Sequence, residues 1–98
     1  FVNAAYLESA VYDIAAARPG LEHVILQCAA VNEIDLSALE ALENIDHRLR
    51  ERGITLHLSE VKGPVMDALK RTDFLDHLSG EVFLSHHQAV EALRPRED

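Results

Sequence analysis

"HVILQCAAVNEIDLSALEALENIDHRLRERGITLHLSEV", residues 23–61, decides the fold. It opens on a near-continuous apolar run, 23–31, with β-branched Val24 and Ile25, which is how a parallel strand buried on both faces reads. From 36 to 51 the period becomes helical. Leu39, Leu42, Ile45 and Leu49 share one face, while Glu40, Glu43, Asp46, His47 and Arg50 take the other. Asp46 and Arg50 are spaced for a favourable i, i+4 ion pair. Gly53 ends that helix, and Arg50 and Arg52 suit its negative end. Residues 54–61 then alternate Ile54, Leu56 and Leu58 with Thr55, His57 and Ser59, a strand pattern. Strand, helix and strand joined by short turns make a βαβ unit with parallel strands.

The flanks extend the same order. "AAYLESAVYDIAAA", 4–17, sets Leu7, Val11 and Ile14 at helical spacing after a candidate N-cap, Asn3. "RPG" at 18–20 stops that helix. Downstream, Pro64 suits the first turn of a helix in "KGPVMDALKRTDF". "EVFLS", 81–85, reads as a short strand, and Ser85 with Gln88 forms a capping box for a final helix. The tail "RPRED" is polar. The expected class is α/β, a mostly parallel sheet with helices packed against it, as a single domain over residues 1–98. Three strands make a thin sheet, and the chain begins without methionine, directly in a structured-looking segment. The expectation is a fragment of a longer chain, with N-terminal edge strands missing or truncated.

Composition narrows function. Hydrophobic content of 48% with 27% charged residues is that of a globular protein. Lys plus Arg is 9 against 17 for Asp plus Glu, so the net charge is −8, which repels nucleic acid and anionic lipid. No apolar run reaches the roughly 20 residues that span a bilayer. Cys28, the only cysteine, lies in an apolar run and reads as a buried, unreactive thiol.

Classical catalysis finds little support. The six histidines show no HxxxH or HExxH spacing, and His86 and His87 are adjacent, so solvent-facing histidines are expected and no metal or other cofactor is. Ser37 lacks a GxSxG elbow, and the four glycines are scattered among turns rather than gathered in a phosphate loop. Within "NEIDLSALEAL", 32–42, Ser37 has two readings. "SALE" is a capping box in which Ser37 reaches the Glu40 N–H and Glu40 reaches back. Alternatively Ser37 accepts a phosphate at a helix N-terminus, at the carboxyl end of the sheet where α/β proteins place function, with Asp35 and Glu40 opposing the charge. A third reading binds a small anion or nucleotide at the helix starts, 35–38 and 62–65, with Lys62 supplying charge.

The words along the chain resemble the STAS domain, named for sulfate transporters and anti-sigma factor antagonists. "VNEIDLSALEAL" resembles its signature loop, an acidic residue, any residue, then serine or threonine opening a helix. "GITLHLSEVKGPVMDALKRTDFLDHLS", "EVFLSHHQAVEAL" and "FVNAA" resemble the sulfate permease branch. The resemblance implies the STAS fold and a non-enzymatic regulatory or scaffolding domain, cytoplasmic and tethered to the membrane by a transporter region. Its partners would be that membrane transport region or a soluble regulator, and direct lipid binding is not expected. Asp35, Leu36, Ser37, Ala38 and Glu40 would form the signature loop and contact surface. The free-standing antagonists imply an alternative: a soluble cytoplasmic protein whose Ser37 is phosphorylated by an anti-sigma kinase. That pattern carries glycine after the serine where this chain has Ala38, which adds a methyl and stiffens the helix start.

Overall fold

The computed structural model describes residues 4–94. Five helices and three strands follow one another: α1 (Ala4–Ala17), β1 (His23–Gln27), α2 (Leu36–Glu51), β2 (Thr55–Ser59), α3 (Gly63–Lys70), α4 (Phe74–His77), β3 (Val82–Phe83) and α5 (His86–Leu93). The strands form one parallel sheet in the order β1-β2-β3. His23 pairs with Thr55 and Gln27 with Ser59, while Leu58 pairs with Val82. The expected α/β class and parallel sheet are therefore present. The cap expected at Asn3 lies outside the described residues.

Because side chains alternate along a strand, this register sorts the sheet into two faces. Val24, Leu26, Leu56, Leu58 and Val82 stand on one, and helices α1 to α4 cover it. Two apolar clusters fill that layer. Val11, Ala15, Ile45, Leu49, Ile54 and Leu56 form one, and Leu42, Leu58, Val65, Leu69 and Phe74 the other. Ile45 and Leu56 are fully buried, and burying an aliphatic side chain of that size is worth about 1.5–3 kcal/mol. The opposite face carries His23, Ile25, His57, Ser59 and Phe83, under α5.

Several side chains sit elsewhere than the pattern suggested. β1 is only half-buried rather than enclosed on both faces, because it forms one margin of the three-stranded sheet and β2 takes the centre. Ile14 is 52% exposed, and Ala15 turns into the core in its place. Asp46, assigned to the solvent face of α2, is buried. Its Oδ1 accepts from the Ser79 hydroxyl (2.5 Å) and the Ser79 N–H (3.1 Å). Its Oδ2 accepts from Arg50 at 3.0 Å, the ion pair that the spacing suggested. Ser79 Oγ accepts from the Leu56 N–H, so this carboxylate ties α2 to the loop beyond α4 and to β2. Nor are the histidines uniformly solvent-facing. His57 is 4% exposed, and His23 and His86 are half-buried.

Candidate functional site

At the carboxyl end of the sheet two loops lie side by side. The first continues the β1–β2 ladder by one bond, Cys28 N–H to the Ser59 carbonyl at 2.8 Å, then turns through Val31 N–H to the Cys28 carbonyl. Val31 and Ile34 pack on the core and anchor it from below. The second loop passes Glu60, whose φ of 54° is a left-handed conformation that a non-glycine residue adopts at a cost. Two side-chain bonds lace the loops together. Gln27 Nε2 donates to Glu60 Oε2 at 2.9 Å, and Lys62 Nζ donates to Asn32 Oδ1 at 2.6 Å.

Helix α2 starts from the first loop, and its start differs from the box expected at "SALE". Asp35 is the N-cap: its backbone is extended (φ −96°, ψ 177°), and its Oδ1 accepts from the Ala38 N–H at 2.8 Å. The Leu39 N–H bonds the Asp35 carbonyl, so the helix begins at Leu36. Ser37 thus lies inside the first turn and caps nothing. The reason is electrostatic. A carboxylate is a charge-assisted acceptor at the positive end of a helix, a better cap partner than a neutral hydroxyl. Starting at Leu36 also adds two residues to the helix compared with a cap at Ser37.

This start sorts the five loop residues. Ala38 is 2% exposed and faces the core, so its methyl fills space under the loop. Asp35, Leu36, Ser37 and Glu40 face outward. Leu36 is 69% exposed, a large aliphatic side chain standing in solvent at the top of the sheet. Ser37 has no side-chain hydrogen bond among the described residues, so its hydroxyl is available. The recess beside them is lined by Ala30, Asn32, Glu33, Asp35 and Ala38, an acidic wall that disfavours an anion. Lys62, the cation proposed for an anion, is engaged with Asn32.

Beneath the two loops lies an apolar cavity of about 100 Å³, walled by residues that include Leu26, Cys28, Val31, Ile34, Leu58 and Val65. Burial pushes the Cys28 thiol pKa up. That suits an unreactive packing residue and not a nucleophile. Among the described residues no group of three or more His, Cys, Asp or Glu is placed to hold a metal ion, and no helix is long and apolar enough to cross a membrane. The "NEIDLSAL" stretch marks this candidate loop in the sequence. The inward turn of Ala38 and the identity of the cap were visible only in three dimensions.

Comparison with known proteins supplies the context for this loop. The family model described as the STAS domain matches residues 1–89. Sulfate transporter 3.1 of Arabidopsis thaliana is 39% identical over 74 residues, covering 74% of this chain and 11% of the relative. A probable sulfate transporter of Mycobacterium tuberculosis is 30% identical over 98% of this chain and 18% of its own length. The human sulfate anion transporter 1 is 31% identical over 82% of this chain and 12% of its own. The chain thus spans less than a fifth of the length of these relatives.

Proposed function

The chain belongs to the STAS domain family, and from that membership we propose that it is the cytoplasmic regulatory domain of a sulfate-type anion permease, acting by protein–protein contact and not by catalysis. The transporters among its relatives support this reading. The observation that carries the contact surface is Leu36, 69% exposed beside the free hydroxyl of Ser37. Its surroundings are acidic, with Glu33, Asp35 and Glu40 exposed around it. A matching partner presents a small apolar pocket rimmed by basic residues, either on the permease's membrane region or on a soluble regulator. The net charge of −8 keeps such a domain off anionic lipid.

The test is sulfate uptake by the permease that carries this domain, with Leu36→Asp compared with the unaltered protein. Uptake falls several-fold on this reading, while the melting temperature of the separate chain is unchanged because Leu36 is outside the core. Unchanged uptake overturns it.

A second reading is favoured by the free Ser37 hydroxyl. In a partner-switching antagonist, a kinase phosphorylates this serine, and the added charge beside Asp35 and Glu40 repels the docked partner. Incubation with candidate anti-sigma kinases and ATP, followed by mass spectrometry, decides it. Phosphate on Ser37 supports the second reading, and an unmodified Ser37 with partner binding unaltered by Ser37→Asp removes it.

A further inference from the structure

The α5 face of the sheet holds an arrangement of histidines that the contact surface does not involve. His57 Nδ1 accepts the Glu81 backbone N–H at 3.1 Å. That bond leaves the His57 proton on Nε2, which lies 3.0 Å from His23 Nδ1 and donates to it. Both tautomers are fixed by this chain of donors: Glu81 N–H to His57, and His57 to His23. Gly80 lets the loop backbone approach the ring. A Cβ at that position would lie 2.4 Å from His57 Nδ1 and 2.3 Å from the Leu56 carbonyl.

We propose that His23 and His57 form a pair that accommodates two protons and rejects a third, so that mild acidification releases the segment from Gly80 through α5 from the sheet. A further proton on His57 Nδ1 faces the Glu81 N–H, and one on His23 Nδ1 faces the His57 N–H. Either sets two donors head to head, and at His57, which is 4% exposed, water does not relieve the conflict. The ring leaves its site instead, and Glu81 goes with it.

The charges around His57 agree with this. Burial first, and then His23, lower its pKa, while Glu81 opposes them weakly. From α5, His86 bonds Ser59 Oγ, two residues along β2 on the same face, at 2.9 Å. The Ser59 hydroxyl donates or accepts there, so this contact sets no donor against a donor. Glu60 is engaged with Gln27, and Arg18 lines the groove at the β1 margin next to His23. From the opposite face, Asp46 and Arg50 of α2 meet Ser79 and the His77 carbonyl rather than His57. A base with a lowered pKa binds fewer protons in the closed state than in the open one. The closed state is therefore at full stability above the ordinary histidine value near 6.5 and loses stability as pH falls below it.

The segment is built to be released first. β3 has only two residues, held to β2 through Leu58 N–H to the Glu81 carbonyl and Glu60 N–H to the Phe83 carbonyl, at 3.0 and 3.1 Å. Helix α5 is eight residues long and buries only Ala89.

Amide hydrogen exchange on the chain at about pH 7.5 and about pH 5.5, corrected for intrinsic rates, tests the proposal. Glu81 and Leu58 are expected to lose protection about 10-fold or more at the lower pH, with Ile45 and Leu49 of α2 changing less than about 3-fold. His57→Gln keeps an acceptor and a donor but has no titrating group, so the selective loss disappears in it. If that variant does not fold, imidazole nitrogen resonances of the unaltered chain replace it, and Nδ1 of His57 is expected to stay unprotonated down to the pH at which Glu81 opens. Uniform loss, no loss at Glu81, or a doubly protonated His57 in the closed state overturns the proposal.

Discussion

Helices α2 and α5 begin with nearly the same word. "SALE" opens one and "SHHQ" the other, and each presents a serine three residues before a Glu or Gln. In α5 the serine is the cap, as the word suggests: Ser85 is extended (φ −130°, ψ 156°), and its Oγ accepts from the Gln88 N–H at 3.1 Å. In α2 it is not, because Asp35 stands two residues earlier and captures the Ala38 N–H. A stronger acceptor upstream moves the helix start and frees the serine. At α5, Leu84 precedes Ser85 and nothing competes. The difference has a functional side. A serine that caps is committed to its helix, whereas the Ser37 hydroxyl is exposed beside Leu36 and uncommitted, which is what the proposed contact surface relies on.

Three substitutions probe this contrast, in decreasing order of effect. Asp35→Ala removes the cap of α2, the longest helix among the described residues and the one that gives the core most side chains. The expected loss is about 1–2 kcal/mol in urea unfolding, and Ser37 does not replace the missing acceptor. Ser85→Ala removes a cap of the same kind from a short helix that buries little. It is expected to cost about 0.5–1 kcal/mol. Ser37→Ala changes only propensity within the first turn, so its melting curve is expected to shift by less than about 0.5 kcal/mol. If Ser37→Ala proves as costly as Ser85→Ala, the serine is a cap after all and the contrast collapses.

Much of the fold was legible in residues 23–61, where the period of apolar side chains changes from strand to helix and back within one short unit. The α2 boundaries, Leu36 to Glu51, match that change of period. What periodicity could not convey was pairing between distant segments. Asp46 lies on the polar side of the helical pattern, yet Ser79 comes from 33 residues away to meet it and it is buried. His57 and Ser59 occupy the polar positions of an alternating strand, but α5 and the Gly80 turn cover them, so a face that read as solvent-exposed is closed by hydrogen bonds instead of apolar volume. The short α4 also escaped notice, because four residues offer no period to read. At the site, the loop was located by its acidic and serine residues. Which of them caps depended on relative acceptor strength, a comparison of neighbouring groups that the spacing rule for a capping box leaves out.

The contrast between the two helix starts leads to one direct measurement, made in the permease that on the proposed function would carry this domain. A photo-crosslinking residue is placed at position 36, at the start of α2, and separately at position 87, at the start of α5. Both positions are exposed. Position 36 is predicted to cross-link to the membrane region or a regulatory protein, and position 87 is predicted not to. Cross-links from position 87 alone, with position 36 silent, would contradict the assignment of the α2 start as the contact surface.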